Sequence, residues 1–165
     1  MSGTSPRLVA GIGFRRATEA GEIVALIRRA LIEARAGDRP AAIATAADRA
    51  AEAAIREAAA AFGLVPMSVD PAALAAVDRR VPTRSVRIAR LRGVGSLAEA
   101  AALAAAGETG RLVVARITST GATCALAATD RHFGTAVDTA GFHGLHARRE
   151  RDAAPCPPNT KLRDA

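Results

Sequence analysis

Between residues 7 and 128, short apolar runs of β type alternate with longer stretches of helical period. That alternation predicts an α/β fold, a sheet with helices laid against it. Arg7 to Ile12 reads as the first strand. Thr18 to Ala36 reads as a helix in which Ile23, Ile27, Ala30, Leu31 and Ala34 share a face, and Gly37 is its expected stop. Pro40 to Thr45 is a second strand, Ala46 to Phe62 an Ala-rich helix ended by Gly63, and Leu64 to Val69 a third strand. Asp70-Pro71 announces a short helix, with Asp as N-cap and Pro at the first helical position. Arg79 to Arg84 is a charged loop, and Ser85 to Leu91 alternates well enough to be read as a partly exposed strand. Ser96 and Glu99 have capping-box spacing at the head of a last helix that ends at Gly107. Leu112 to Ile117 and Ala122 to Ala128 then form a hairpin around Thr118-Ser119-Thr120-Gly121.

At 165 residues the chain is one ordinary domain. The division expected is a folded unit over 1–128 and a disordered extension over 129–165, where glycines, an Arg-rich charge run and prolines replace any period. Half of the residues are hydrophobic, yet aromatics are 2% and much of the rest is Ala, so Val, Ile and Leu carry the core. The net charge is +7, supplied almost wholly by Arg, with Lys161 the sole lysine. Such a surface favours polyanions, and guanidinium suits two-pronged capture of carboxylate or phosphate. Biased base composition would also enrich Arg and Ala. Without stacking aromatics among the basic residues or a Cys/His finger, nucleic acid is not the expected partner.

Cys124 lies in a strand-like run and Cys156 in a Pro-rich tail, so no disulfide framework is expected and a reducing cytoplasm fits. The start lacks a signal-peptide pattern. No uncharged stretch approaches the roughly 18 apolar residues of a membrane span. A soluble cytoplasmic protein without membrane attachment is the expectation.

Two Gly-x-Gly segments could face an anion. Gly11-Ile12-Gly13 is read as a strand-to-helix turn whose amides point outward, flanked by Arg15 and Arg16. Arg16 stands where a dinucleotide fingerprint needs its third Gly, so that site is not expected. Gly93-Val94-Gly95-Ser96 repeats the pattern, and two parallel strands would bring both turns to one sheet edge. A plain turn with solvated arginines explains the first as well, and helix capping explains Ser96 and Glu99 without a ligand. Thr45 could cap a helix whose first turns carry Asp48, Arg49 and Glu52. These form a surface cluster, or else Arg49 grips a ligand carboxylate while Glu52 does acid–base work. His143 and His146 have metal-ligand spacing but no third ligand, so no metal is expected, and no cofactor motif occurs.

Taken in order, the stretches Val9 to Thr18, Ile43 to Thr45 with Arg49 and Glu52, Gly93 to Leu103, Leu112 to Arg116 and Thr123 to Ala127 resemble the family of CobE and the carboxy-terminal domain of CbiG. The family generally has Lys where Arg49 and Arg116 stand and an acidic residue at Ala51. The resemblance implies a single three-layer α/β/α domain with a mixed sheet of about five strands. It implies corrin-ring synthesis, with a precorrin or corrinoid intermediate rich in acetate and propionate arms as ligand. Gly11, Gly13, Arg15, Arg16, Thr45, Arg49, Gly93, Gly95, Ser96, Arg116 and Thr123 are then the candidate binding residues. Glu52 and Glu99 are the candidates for acid–base chemistry. The expected role is accessory or carrier protein. The alternatives are an enzyme, a lactone hydrolase of the cobalt-precorrin-5A type, and a non-enzymatic partner of precorrin methyltransferases.

Overall fold

The structure, a computed structural model, describes residues 6–133. Most of the expected extension, with His143, His146 and Cys156, lies outside the described residues, while Thr129 still belongs to the last strand. Five strands form one mixed sheet: β1 (Arg7–Phe14), β2 (Ala42–Ala46), β3 (Met67–Val69), β4 (Arg111–Thr118) and β5 (Ala122–Thr129). Their spatial order is β3-β2-β1-β5-β4. β1, β2 and β3 run parallel, and the β4–β5 hairpin enters antiparallel beside β1. The helices are α1 (Ala20–Glu33), α2 (Ala53–Ala61), α3 (Pro71–Ala76), α4 (Val86–Arg92) and α5 (Leu97–Ala106), with one 3-10 turn at Asp78–Arg80.

Side-chain alternation along β1 divides the core in two, and the fold is the expected three-layer α/β/α sandwich. Leu8, Ala10, Ile12 and Phe14 face α1 and α2, meeting Ile23, Ile27, Leu31, Ile55 and Phe62. The other face is built from small residues. Gly11, Ala42, Ala44, Ala46, Ala125 and Ala127 meet Ala98, Ala101, Ala102 and Leu103 of α5. A Cβ on Gly11 would come closer than 3.0 Å to the Ala98 carbonyl oxygen and the Ala102 nitrogen. The helix backbone therefore lies directly on the strand. Gly13 is also within β1, beside Leu97. The expected outward-facing turn at Gly11 and Gly13 is thus not formed: both are buried strand residues, the missing side chain of Gly11 admitting α5 and that of Gly13 leaving room for the Thr123 hydroxyl.

Three further expectations are corrected. Ser85 to Leu91 is helix, not strand: the Ser85 hydroxyl accepts from the Ile88 amide at 3.4 Å, and Gly93 at φ +70 closes the helix. The second Gly-x-Gly thus joins two helices rather than a strand and a helix. Ala46 to Glu52 is not helical either. β2 runs through Ala46, a chain of tight turns follows, and α2 begins at Ala53. Thr45 caps nothing, because its hydroxyl donates to the Ile12 carbonyl at 2.8 Å between two strands.

The capping box at Ser96 is also absent. Ser96 holds the N-cap position, but its side chain makes no cap bond, and its Oγ is buried without a partner among the described residues. Glu99 is fully buried and turns the other way. It accepts from the Thr83 amide at 3.0 Å, the Thr83 hydroxyl at 2.7 Å and the Arg116 amide at 2.9 Å. One carboxyl group thus ties α5 to the loop before α4 and to the irregular edge strand β4.

Three outcomes follow for stability. Gly11→Ala should lose at least about 3 kcal/mol in urea denaturation, the upper end of overpacking costs, since a helix backbone must retreat. A capping Ser would lose about 1 kcal/mol on conversion to Ala, whereas Ser96→Ala should be neutral or stabilising because it removes an unbonded buried hydroxyl. Glu99→Gln, which turns an amide donor toward other donors, should lose about 2 kcal/mol or more in the same assay.

Candidate functional site

The carboxyl end of β1 opens into a cleft of about 600 Å3, within the size range of small-molecule pockets. Three elements converge there, each for a local reason. The first is the turn after β2. It presents Arg49, whose Nη2 donates to the Phe14 carbonyl at 2.7 Å while Nη1 pairs with Glu52. The guanidinium also lies 5.0 Å from the centre of the Phe14 ring. Arg49 is therefore fixed in place before any ligand arrives.

The second element is the tip of the β4–β5 hairpin, which contributes Thr118, Ser119, Thr120 and Thr123 as a hydroxyl-bearing wall. Glu22 of α1 holds this tip, accepting from Ser119 Oγ at 2.5 Å and from the Gly121 amide at 2.6 Å. Those two bonds hold the Glu22 carboxyl below its usual value of 4.5. The Gly121 carbonyl in turn accepts from the Arg15 amide at 2.9 Å and the Thr18 hydroxyl at 2.8 Å.

The third element is α4. No residue of this helix is buried, and Val86 and Leu91 are largely exposed. Its lower face gives Ile88 and Leu91 to the cleft, opposite Phe14 and Leu97. Arg92 at its end reaches across to Asp48 in the turn after β2, at 2.7 Å. That bond holds the Asp48 carboxyl below its usual range. At the foot of the segment, Asp78 accepts from Arg84 and from the Gly95 amide at 2.9 Å, which lowers its carboxyl likewise.

The result is an apolar floor ringed by five arginines, Arg15, Arg16, Arg49, Arg87 and Arg92, with no acidic residue, His or Cys in the lining. Arg15, Arg16 and Arg87 are exposed and have no carboxylate partner among the described residues. Chemically this is a place for a flat or apolar body carrying several negative groups at its margin.

Of the binding candidates read from sequence, Gly13, Arg15, Arg16, Arg49 and Thr123 meet in the cleft. Gly11 is covered by α5, Thr45 is tied between strands, and Gly95 gives its amide to Asp78. Gly93, Ser96 and Arg116 do not line the cleft. Neither acid–base candidate does: Glu52 faces a neighbouring groove with Arg16 and Glu57, and Glu99 is enclosed under α4's loop. Arg87, Arg92, Ile88 and Leu91 escaped the sequence reading because a strand, unlike a helix, would not have turned them together. Their signal was the Ser85 and Gly93 pair of helix-end residues. Burial pushes the Cys124 thiol up to about 12, so it is no nucleophile. Among the described residues no cluster suited to a metal ion occurs, and no helix is long and apolar enough to cross a membrane.

Comparison with known proteins gives a consistent pattern. Residues 8–127 match the family described as cobalamin synthesis G C-terminus. Protein CobE of Sinorhizobium sp is 38% identical over 121 residues, which span 73% of this chain and 79% of that protein. The crystal structure of CobE, a protein from the cobalamin (vitamin B12) biosynthetic pathway, superposes with a TM-score of 0.70 at 32% identity, covering 76% of this chain and 94% of that one. The cobalamin biosynthesis protein chiG from Agrobacterium tumefaciens str. C58 gives a TM-score of 0.60 at 35% identity, covering 75% and 99%.

The hairpin wall should respond to acid through Glu22. Its folded value lies below the unfolded 4.5, so its contribution is complete above about pH 4.5 and drains as the pH falls through the lowered value. The Gly121 amide proton should therefore titrate in NMR spectra with a midpoint below 4.5. Glu22→Gln should abolish that titration.

Proposed function

This chain belongs to the family of CobE and the CbiG carboxy-terminal domain and is a protein of cobalamin biosynthesis; from that premise we propose that it binds a carboxylate-rich precorrin or corrinoid intermediate as an accessory or carrier protein. The observation that carries this reading is the arginine-ringed cleft. A tetrapyrrole-derived ring is an apolar plate edged with acetate and propionate arms, and the cleft offers an apolar floor edged with guanidinium groups. Arg15, Arg16 and Arg87 supply charges not already matched by a carboxylate among the described residues, while Arg49 is held rigid on Phe14.

Binding is preferred to lactone hydrolysis because the lining holds no carboxylate, His or Cys to act as general base or nucleophile. Of the candidates for that work, Glu52 lies outside the lining, paired with Arg49, and Glu99 is buried against Thr83. Methyltransferases of the same pathway are the natural recipients of a carried intermediate, and the cytoplasm is where such a transfer would occur. A basic protein could instead bind nucleic acid, in which case affinity for DNA would dominate and fall steeply with salt.

Absorbance titration with hydrogenobyrinic acid tests the proposal. Saturable binding at micromolar concentration, weakened by salt, is expected. Each exposed charge contact contributes on the order of 0.5 kcal/mol, so changing Arg15, Arg16 and Arg87 together to Ala should weaken binding about tenfold. The melting temperature should be preserved in that variant. Absence of binding at high micromolar concentration, or acetaldehyde release from cobalt-precorrin-5A by this chain alone, would overturn the carrier reading.

A further inference from the structure

We propose that Asp48 is a built-in competitor for the ligand: it holds Arg92, and with it helix α4, across the mouth of the cleft until a ligand carboxylate takes its place. The inference rests on the ligand reading above and adds how the same site opens and what sets its affinity.

The geometry has three parts. Asp48 and Arg92 are 44 residues apart in sequence, yet their side chains meet at 2.7 Å. Arg92 lines the cleft, whereas Asp48 stands outside it with 59% of its side chain exposed. The pair therefore bridges the turn after β2 to the end of α4, on opposite sides of the opening. Second, α4 has little else to hold it. It buries no residue, Val86 and Leu91 are largely exposed, Ile88 alone packs partly against the core, and its firm attachments lie at the foot of the segment. There Thr83 is bonded to Glu99, Arg84 to Asp78, and the Ser85 amide to the Gly95 carbonyl at 2.8 Å. A short helix anchored at its base and tied at its far end by one ion pair is a flap with a latch.

Third, the two internal ion pairs in the arginine ring differ in kind. Arg49 is bonded to Glu52 and to the Phe14 carbonyl and is stacked on the Phe14 ring, so losing one partner leaves it in position. Arg92 has Asp48 as its sole hydrogen-bond partner among the described residues. An arriving carboxylate can take Arg92 without breaking any other contact. Exposed ion pairs are weak and exchange readily, so the swap is close to isoenergetic and the ligand can be released again. Asp48 thus lowers affinity on purpose: a carrier that gripped its cargo with every guanidinium unopposed would hold it too long.

The variant Asp48→Asn keeps the shape and removes the competing charge. It alters an exposed side chain, and folding should survive. Without ligand, amide exchange followed by mass spectrometry should be faster in the peptide spanning 86–93 and unchanged in β1 and α5. With hydrogenobyrinic acid as probe, Asp48→Asn should bind about twofold to fivefold more tightly than wild type, the scale of one exposed ion pair. Arg92→Gln should bind more weakly. The double variant should match Arg92→Gln, since the competitor matters only while Arg92 is present. Equal or weaker binding by Asp48→Asn, with wild type binding normally, overturns the competitor and leaves the ligand reading intact. Unchanged exchange in 86–93 overturns the latch. Failure of wild type to bind removes the ligand reading and the competitor together.

Discussion

The architecture depends on the contact between the backbone of α5 and the bare Cα of Gly11. Because Gly11 has no side chain, and Ala44 and Ala125 flank it on the neighbouring strands, the helix can lie almost on the sheet. The approach fixes α5 along β1 as well as above it. Leu97 falls beside Gly13 at one end, and the Ala106 carbonyl accepts from Thr129 at the other. The helix therefore runs antiparallel to β1 and starts at the strand's carboxyl end. Leu97 becomes part of the cleft floor through that placement, and Glu99, two residues later, comes within reach of Thr83 and the β4 backbone. A larger residue at position 11 would lift the helix and disturb all of these together.

The same economy governs charge. Five guanidinium groups around one opening repel one another, and the fold tolerates them by giving two of them resident carboxylates. Glu52 and Asp48 come from one tight turn, 47–52, that the sequence encodes between β2 and α2. The remaining three are solvated, where mutual repulsion is screened over about 10 Å at moderate salt. A highly charged site is thus compatible with a stable domain because its charges sit at the rim while the floor is apolar.

Much of this was readable from residues and much was not, for reasons that can be assigned. The strand–helix alternation, the β4–β5 hairpin and the terminations at Gly63 and Gly107 follow from local chemistry. So do Arg15 and Arg16 at the site, because they directly follow β1. Helix α4 was misread since Val86, Ile88 and Leu91 suit either period, and a strand assignment ignored that Ser85 and Gly93 are helix-end residues. Ser96 and Glu99 match a capping box by spacing, but spacing cannot register that Thr83 and the Arg116 amide compete for the same carboxyl group. Gly11 was read as an amide donor when its missing side chain was the point. The errors at Gly11, Thr45 and Glu99 came from tertiary partners far along the chain, which no local pattern contains, whereas the signal for α4 was local.

That distance also explains where the cleft lies. In an open sheet of parallel strands, ligands collect at the carboxyl edge, between loops that lead into helices. Here β2 and β1 supply such loops, with Arg49 and with Arg15 and Arg16. The next strand in the sheet, β5, is antiparallel, so its beginning rather than its end lies at this edge, with Ala122 paired to Phe14. The edge is therefore completed by a hairpin tip rich in Ser and Thr in place of a third strand-to-helix loop. The short helix α4 closes the remaining side. One wall is thus held by the sheet and Glu22, while the opposite wall rests on the contacts at the base of α4, the partly buried Ile88 and one ion pair at its far end. On the proposed reading, a bulky ligand enters by moving only this weaker wall, leaving the sheet undisturbed.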